Sequence, residues 1–479
     1  MKLKNPELLQ QANYWDGLWR QSSTGEVVDV ENPATQTVIG KVPRLSRSEV
    51  ASAIAAAEQA FSSWRQCSAQ KRGQVLRGWA ELLLLHLDDL AEIMTSEQGK
   101  PLAEAKGEVR YAASYLQWFS EEAERNYGDI IPAQKAGQKI LVQKQPIGVC
   151  ACITPWNFPM AMLARKVAAA LAAGCTVVAK PAELTPFSAL AFALLGERAG
   201  VPVGVFNVVT GDSTAIGDEF TDNPTIKKIS FTGSTRVGKL LQKKSATNLT
   251  KLSLELGGNA PLLVFDDADL DLAVDGIIAA KFRNAGQTCV CVNRLFIQRS
   301  IYSQVMKKLA QKIAELKVGD GHEEGVAIGP LINQAAVEKF QRHLDDALEK
   351  GAQLICGDGQ ADNLFVKPVL LGDCKPSMLF CREETFAPLL AAIPFDAEED
   401  AIHLANDTPY GLAAYFYSNN LQRVMRVADA LESGMIGINE TAISNAAAPF
   451  GGVKWSGYGR EGSKYGMEEY LTVKYVLLG

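Results

Sequence analysis

Histidine is scarce, with four in 479 residues, none in an HExxH array, and no CxxC pair accompanies them. Transition-metal sites draw on those ligands at fixed spacings, so no resident metal is expected. Cysteine is sparse too. Nine of them, an odd number without repeating spacing, do not make a disulfide framework, and reduced thiols in a cytoplasmic setting are the expectation. No apolar run approaches the about 20 residues of a spanning helix. The most apolar stretch, 159–179, is cut by Arg165 and Lys166 and reads as a buried helix running into a buried strand. No apolar segment follows Lys2 and Lys4, so neither a secretory leader nor a membrane partner is expected. Charge of one sign is also lacking: 48 basic against 54 acidic residues leave −6, with no charged block or low-complexity tract. That balance excludes a nucleic-acid scaffold, which needs a concentrated basic surface, and it excludes disorder.

What is present is a chain with 47% hydrophobic residues, long enough for about three domains. Residues 46–125 are rich in Ala, Leu and Glu and read as successive amphipathic helices. From Lys139 the texture changes to short apolar runs alternating with helical ones, the βαβ signature of mostly parallel sheets. A second such series follows Glu255. Two tandem α/β layers are expected, with the chemistry near their junction.

Two glycine patterns mislead. Gly457-Tyr-Gly459-Arg-Glu-Gly462 spells GxGxxG, but too little chain follows it for the βαβ unit of a dinucleotide fingerprint. It reads as a turn-rich loop. Gly233-Ser-Thr-Arg-Val-Gly238-Lys239 nearly spells a P-loop, yet Leu240 stands where a magnesium-binding hydroxyl is required. A strand–turn–helix joint with a phosphate-friendly helix N-terminus is what remains.

Three segments carry chemistry. Asn284-Ala-Gly286-Gln-Thr-Cys289-Val-Cys291 sets a cysteine after a turn that can present its thiol to a cleft, although a lone cysteine also serves as a small buried hydrophobe. Leu254-Glu255-Leu256-Gly257-Gly258-Asn259 places a carboxylate in apolar company, which raises its proton affinity and suits a general base. A helix-end ion pair would use the same glutamate. Thr154-Pro155-Trp156-Asn157-Phe158-Pro159 brackets an amide between prolines, as an oxyanion donor or as part of a rigid turn.

Together these segments resemble the aldehyde dehydrogenase superfamily over essentially the whole chain. Lys180-Pro-Ala-Glu183, Phe231-Thr-Gly-Ser234, Glu384-Thr-Phe-Ala-Pro388 and Pro449-Phe-Gly-Gly452 match in order, with Ala387 where glycine is common. The resemblance implies an α/β fold of two tandem Rossmann-like domains plus a small β oligomerisation arm. Residues 1–122 and 146–256 would bind cofactor, 257–450 would form the catalytic domain, and 123–145 with 466–479 the arm. It implies Cys289 as nucleophile, Asn157 as oxyanion donor and Glu255 as the base that activates water. Trp156, Lys180, Glu183, Gly233, Ser234, Leu256 and Glu384 would contact the dinucleotide. Glu183 favours NAD over NADP, because a carboxylate accepts from a ribose 2′-OH and repels a 2′-phosphate.

Ala164-Arg-Lys166, the segment Lys281–Cys291 and Ile443-Ser444 are similar to the succinate-semialdehyde dehydrogenases, in which the residues matching Arg165, Arg283 and Ser444 bind the substrate carboxylate. The expected substrate is thus a small aldehyde with a carboxylate tail, with glutarate semialdehyde as the nearest rival. A cofactor-independent thioester hydrolase would dispense with Lys180, Glu183 and Glu384, and a silent homologue with Cys289 or Glu255. A homo-oligomer, tetramer before dimer, is the expected assembly. Some members also use the residue matching Cys291 in a redox switch, and an extended segment would place it on the same face as Cys289. That spacing lies at the far edge of disulfide geometry.

Overall fold

A computed structural model describes all 479 residues. Ser46 opens the helical region with a capping box, its side chain accepting from the Glu49 N–H while Glu49 reaches back to the Ser46 N–H. Helices Arg47–Trp64, Ala69–Leu85, Leu87–Gln98 and Leu102–Glu122 follow, as the composition predicts. Their apolar stripes close over the first sheet. Trp79 is wholly buried there, its ring 4.2 Å from that of Phe192.

The first sheet has eight strands. Its five central ones, Phe206–Val208, Thr176–Lys180, Val149–Ile153, Ile226–Thr232 and Lys251–Glu255, are parallel. Both faces are covered, so Val149–Ile153 is apolar throughout, while Ile226–Thr232 and Lys251–Glu255 bury polar residues such as Lys228, Ser230 and Ser253. Along Val149–Ile153, Cys150 and Cys152 enter one core cluster while Val149 and Ala151 enter another. The parallel series begins mid-sheet at Val149–Ile153, builds to one side, and then crosses to Ile226–Thr232 on the other. In open α/β sheets ligands bind beyond the strand carboxyl ends at such a reversal.

Leu256-Gly257-Gly258-Asn259 crosses directly to the second sheet. Six of its seven strands are parallel, from Val369–Gly372 through Leu389–Phe395, Val292–Gln298, Ala260–Val264 and Ala413–Tyr417 to Met435–Ile438. A separate core of 53 buried residues surrounds it, so the two layers are independently packed. A third, antiparallel sheet joins Asp129–Pro132, Lys139–Pro146 and Leu471–Leu478 and leaves Ile130, Val473 and Tyr475 exposed. No helix is long and apolar enough to cross a membrane.

One local reading is corrected. Gly457–Tyr458 is not loop but a short strand, antiparallel to Leu254–Glu255 at the edge of the first sheet. Gly457 permits this because a Cβ there would overlap the Leu254 carbonyl.

Candidate active site

After the helix Leu270–Phe282 the chain makes a left-handed turn, with φ of 51°, 54° and 76° at Asn284, Ala285 and Gly286. Such backbone costs about 1–2 kcal/mol for each residue that carries a Cβ. Side chains hold it in place. The Gln287 amide donates to Asn284 O at 3.1 Å and accepts from the Ile332 N–H at 2.9 Å. The Asn284 amide donates to Asn157 O at 3.0 Å, and Glu104 accepts the Asn284 N–H at 2.8 Å. At Gly286 a Cβ would lie 2.5 Å from Ala387 O, so glycine is required. The turn delivers Cys289 against Gly258, where any side chain would overlap the Cys289 carbonyl.

Two cavities meet at that thiol, and Cys289 and Met162 line both. One, of about 310 Å³, has Phe158, Arg165, Arg283, Ser444 and Phe450 in its wall. The other, of about 360 Å³, is bounded by Trp156, Gly233, Ser234, Leu256 and Glu384, with Asn157 and Glu255 also in its wall. Asn157 spends one amide N–H on Gln287 O at 3.0 Å, leaving the second free. Both carboxylate oxygens of Glu255 are buried without a hydrogen-bond partner. Lys180 and Glu183 stand outside this wall, paired at 3.1 Å and both bonded to Ser213. The strand register sets Lys180 beside Ile153, at the same carboxyl end of the sheet.

The larger cavity fits a dinucleotide. It lies at the strand-order reversal, and the helix Thr235–Ser245 starts at its wall, capped by Ser234. A Cβ at Gly233 would meet the Phe231 ring at 2.5 Å. Glu384 uses Oε1 to accept the Gly258 N–H at 3.1 Å, which leaves Oε2 for a ribose hydroxyl.

Residues 19–476 match the aldehyde dehydrogenase family. Over 482 aligned residues and the full length of both chains, 54% are identical to the NADP(+) succinate-semialdehyde dehydrogenase GabD of Escherichia coli (strain K12). A glutarate-semialdehyde dehydrogenase of Pseudomonas putida is 52% identical, again over 100% of both chains. The crystal structure of succinate-semialdehyde dehydrogenase from Burkholderia pseudomallei superposes with a TM-score of 0.99 at 54% identity, covering 100% of each chain. The chain belongs to the aldehyde dehydrogenase family. It is an oxidoreductase.

In this dehydrogenase Arg165 is not a free anchor. Its guanidinium is buried, ion-paired with Glu461 and stacked on Phe450 at 4.3 Å, while Nη1 and Nη2 find no hydrogen-bond partner. Lys166 pairs with the same carboxylate. Sequence reasoning missed Glu461, because nothing in Gly459-Arg-Glu-Gly462 points to partners so distant in the chain. It also missed Lys100, Glu104 and Glu108, which look like ordinary helix-surface charges. Arg283 is exposed, forms no ion pair, and sits 5.0 Å from the Phe158 ring. Cys291 departs from the expected extended geometry. Its N–H closes a turn on Thr288 O at 3.0 Å, and its buried thiol donates to the carbonyls of Lys281 and Val292.

Electrostatics set the proton inventory. Burial, then the charge of Glu461, raises the proton affinity of Glu255 well above that of an ordinary carboxylate, against the pull of Arg165, Lys166 and Arg460. Burial pushes the Cys289 thiol up to about 12, although Arg165 and Arg283 draw it down. Burial also lifts Glu384 to about 7. In the ligand-free enzyme burial therefore favours the neutral form of both the Cys289 thiol and the Glu255 carboxyl. Iodoacetamide should alkylate Cys289 slowly at pH 7, with a rate rising about tenfold per pH unit to pH 9, because only the thiolate reacts. A plateau below pH 8 in the mass-spectrometric time course would contradict a thiol held this high.

Proposed function

We propose that this enzyme oxidises succinate semialdehyde to succinate. The observation that carries the reading is the pair of cationic groups facing Cys289 across one cavity: buried Arg165 with two unsatisfied nitrogens, and unpaired Arg283. Guanidinium groups match a carboxylate in charge and fork geometry. Ser444, in the same wall, adds a hydroxyl donor. With the tail held there, the aldehyde carbon meets the Cys289 sulfur. Glu255, in its ionised form, takes the thiol proton and releases it to water, and the sulfur adds to the carbonyl. The free N–H of Asn157 and the Cys289 N–H donate to the oxyanion that develops, an arrangement whose loss typically costs about 10²–10³ in rate. NAD(P), bound in the larger cavity, supplies the two-electron acceptor. The acyl group carried on Cys289 as a thioester leaves when Glu255 deprotonates a water beside it. A second reading, glutarate semialdehyde, is supported by the 52% identical relative of that name. One methylene changes binding in such a pocket by only about 1–3 kcal/mol.

NAD is the preferred acceptor in this reading. Burial opposes ionisation of Glu183, but Lys180 and the Ser213 hydroxyl outweigh it and hold the carboxyl below its usual range. An ionised Glu183 accepts from a ribose 2′-OH and repels a 2′-phosphate. The relative of Escherichia coli named for NADP(+) is the counterweight. The assembly is a homo-oligomer, tetramer before dimer, in which the exposed apolar strands of the third sheet meet a second copy, since bare edges of that kind invite pairing.

Absorbance at 340 nm should rise with succinate semialdehyde and NAD, and not in Cys289→Ala. Arg283→Ala should raise KM for succinate semialdehyde while leaving KM for butanal unchanged. Equal effects on the two aldehydes would remove the anionic-tail reading. Glu183→Gln should move the NAD to NADP ratio of kcat/KM towards NADP, and a wild type already favouring NADP by tenfold would overturn the cofactor assignment. Light scattering should find an oligomer, whereas a stable, active species of 51.7 kDa would refute it.

A further inference from the structure

Three charged side chains beside the site remain without a role. Glu104 and Glu108 are spaced four residues apart on the helix Leu102–Glu122 and share one side of it, and Lys100 lies just before its N-cap, Pro101. Each reaches a different part of the catalytic apparatus. Lys100 Nζ donates to Asn157 O at 2.7 Å and pairs with Glu108 at 2.5 Å. Glu108 Oε1 accepts the N–H groups of Met160 and Ala161, at 3.0 and 3.1 Å, where the helix carrying Arg165 starts. Glu104 accepts the N–H of Asn284, the first left-handed residue of the nucleophile turn.

We propose that Lys100, Glu104 and Glu108 are positioning residues that hold the oxyanion donor, the anion-binding helix and the nucleophile turn in one register, with Glu104 fixing the turn that presents Cys289. Lys100 and Glu108 form a wholly buried pair, and losing either partner strands a charge. Glu104 is different. It is half-buried, has no ion-pair partner within 4.0 Å, and bonds only the Asn284 N–H. The Asn284 amide then passes the constraint on, because it donates to the same Asn157 carbonyl that Lys100 holds. Movement of the turn therefore shifts sulfur and oxyanion donor relative to each other, and a misplacement of about 1 Å can cost 10²-fold in rate. Glu104 also lines the cavity that takes the aldehyde. A carboxylate there would repel an anionic tail, so its presence is better explained by the turn than by the substrate.

The inference rests on Cys289 as nucleophile, and the test separates it from the substrate reading by using two aldehydes. Glu104→Met keeps the volume and removes the acceptor, whereas Glu104→Gln keeps an amide oxygen for the Asn284 N–H and removes the charge. In the full-length enzyme, Glu104→Met should lower kcat about 10²-fold with both succinate semialdehyde and butanal, with KM for butanal and the melting temperature nearly unchanged and KM for succinate semialdehyde unchanged or lower. Glu104→Gln should retain most of the wild-type kcat. The proposal fails if Gln falls as far as Met, if the effect appears only in KM for the charged aldehyde, if Met leaves kcat intact, or if Met abolishes the cooperative melt. Should the wild type turn over butanal but not succinate semialdehyde, the substrate reading alone is lost, and the butanal series still decides the role of Glu104.

Discussion

The Cys289 carbonyl rests so close to Gly258 that no side chain fits between them, and this approach ties the nucleophile turn to the crossing between the two sheets. Three other features hang on that crossing. The Gly258 N–H anchors Glu384 in the larger of the two cavities that meet at Cys289. The Gly257 carbonyl accepts from Ser456, whose own carbonyl accepts the Leu256 N–H, so the segment near the C-terminus is locked to the same four residues. Glu255 ends the strand just before it. Base, nucleophile and cavity wall thus share one short piece of backbone. The strain of the left-handed turn is tolerated because hydrogen bonds from Glu104, Asn284 and Gln287 over-determine it.

The charge balance of the site follows from burial. Arg165 and Lys166 are both out of water and share the single carboxylate of Glu461. One anion between two cations leaves a positive remainder. Burying an isolated charge costs several kcal/mol, so the remainder favours any anion that enters. Glu255 does not supply it fully, because its own burial and the nearby Glu461 disfavour its ionised form. The same desolvation that makes Glu255 a strong base therefore leaves the arginine short of a partner. An anionic tail, as in the proposed substrate, would complete the set.

Much of this was legible in the chain. Periodicity marks the four helices after Ser46 and the two parallel series. The three motif segments place Cys289, Glu255 and Asn157, which line one cavity together. What stayed hidden is long-range or geometric. Glu461 meets Arg165 and Lys166 across most of the chain, and Lys100, Glu104 and Glu108 meet two other segments, Asn157–Ala161 and the turn at Asn284. No local pattern encodes such pairs. Cys291 was misplaced for another reason: two residues beyond Cys289 implies a shared face only if the backbone is extended, and the Thr288 carbonyl closes it into a turn instead.

The GxGxxG spelling at Gly457 shows what a glycine pattern reports. Each of its three glycines has a positive φ, and each lies against the protein's own atoms: Gly457 on the Leu254 carbonyl, Gly459 on the Ser253 side chain, Gly462 on the Ala448 carbonyl. Their missing side chains admit neighbouring backbone and Ser253, not a phosphate. The strand end that does open on a large cavity has only Gly233 before the capping Ser234. A glycine signals close approach and leaves the identity of the approaching group open. Here the tight triple packs Arg460-Glu461 beneath the strand that ends in Glu255, which brings the Glu461 carboxylate to Arg165 and raises the proton affinity of Glu255. A motif wrong for nucleotide binding is thus structurally bound to the chemistry through the counter-ion it carries.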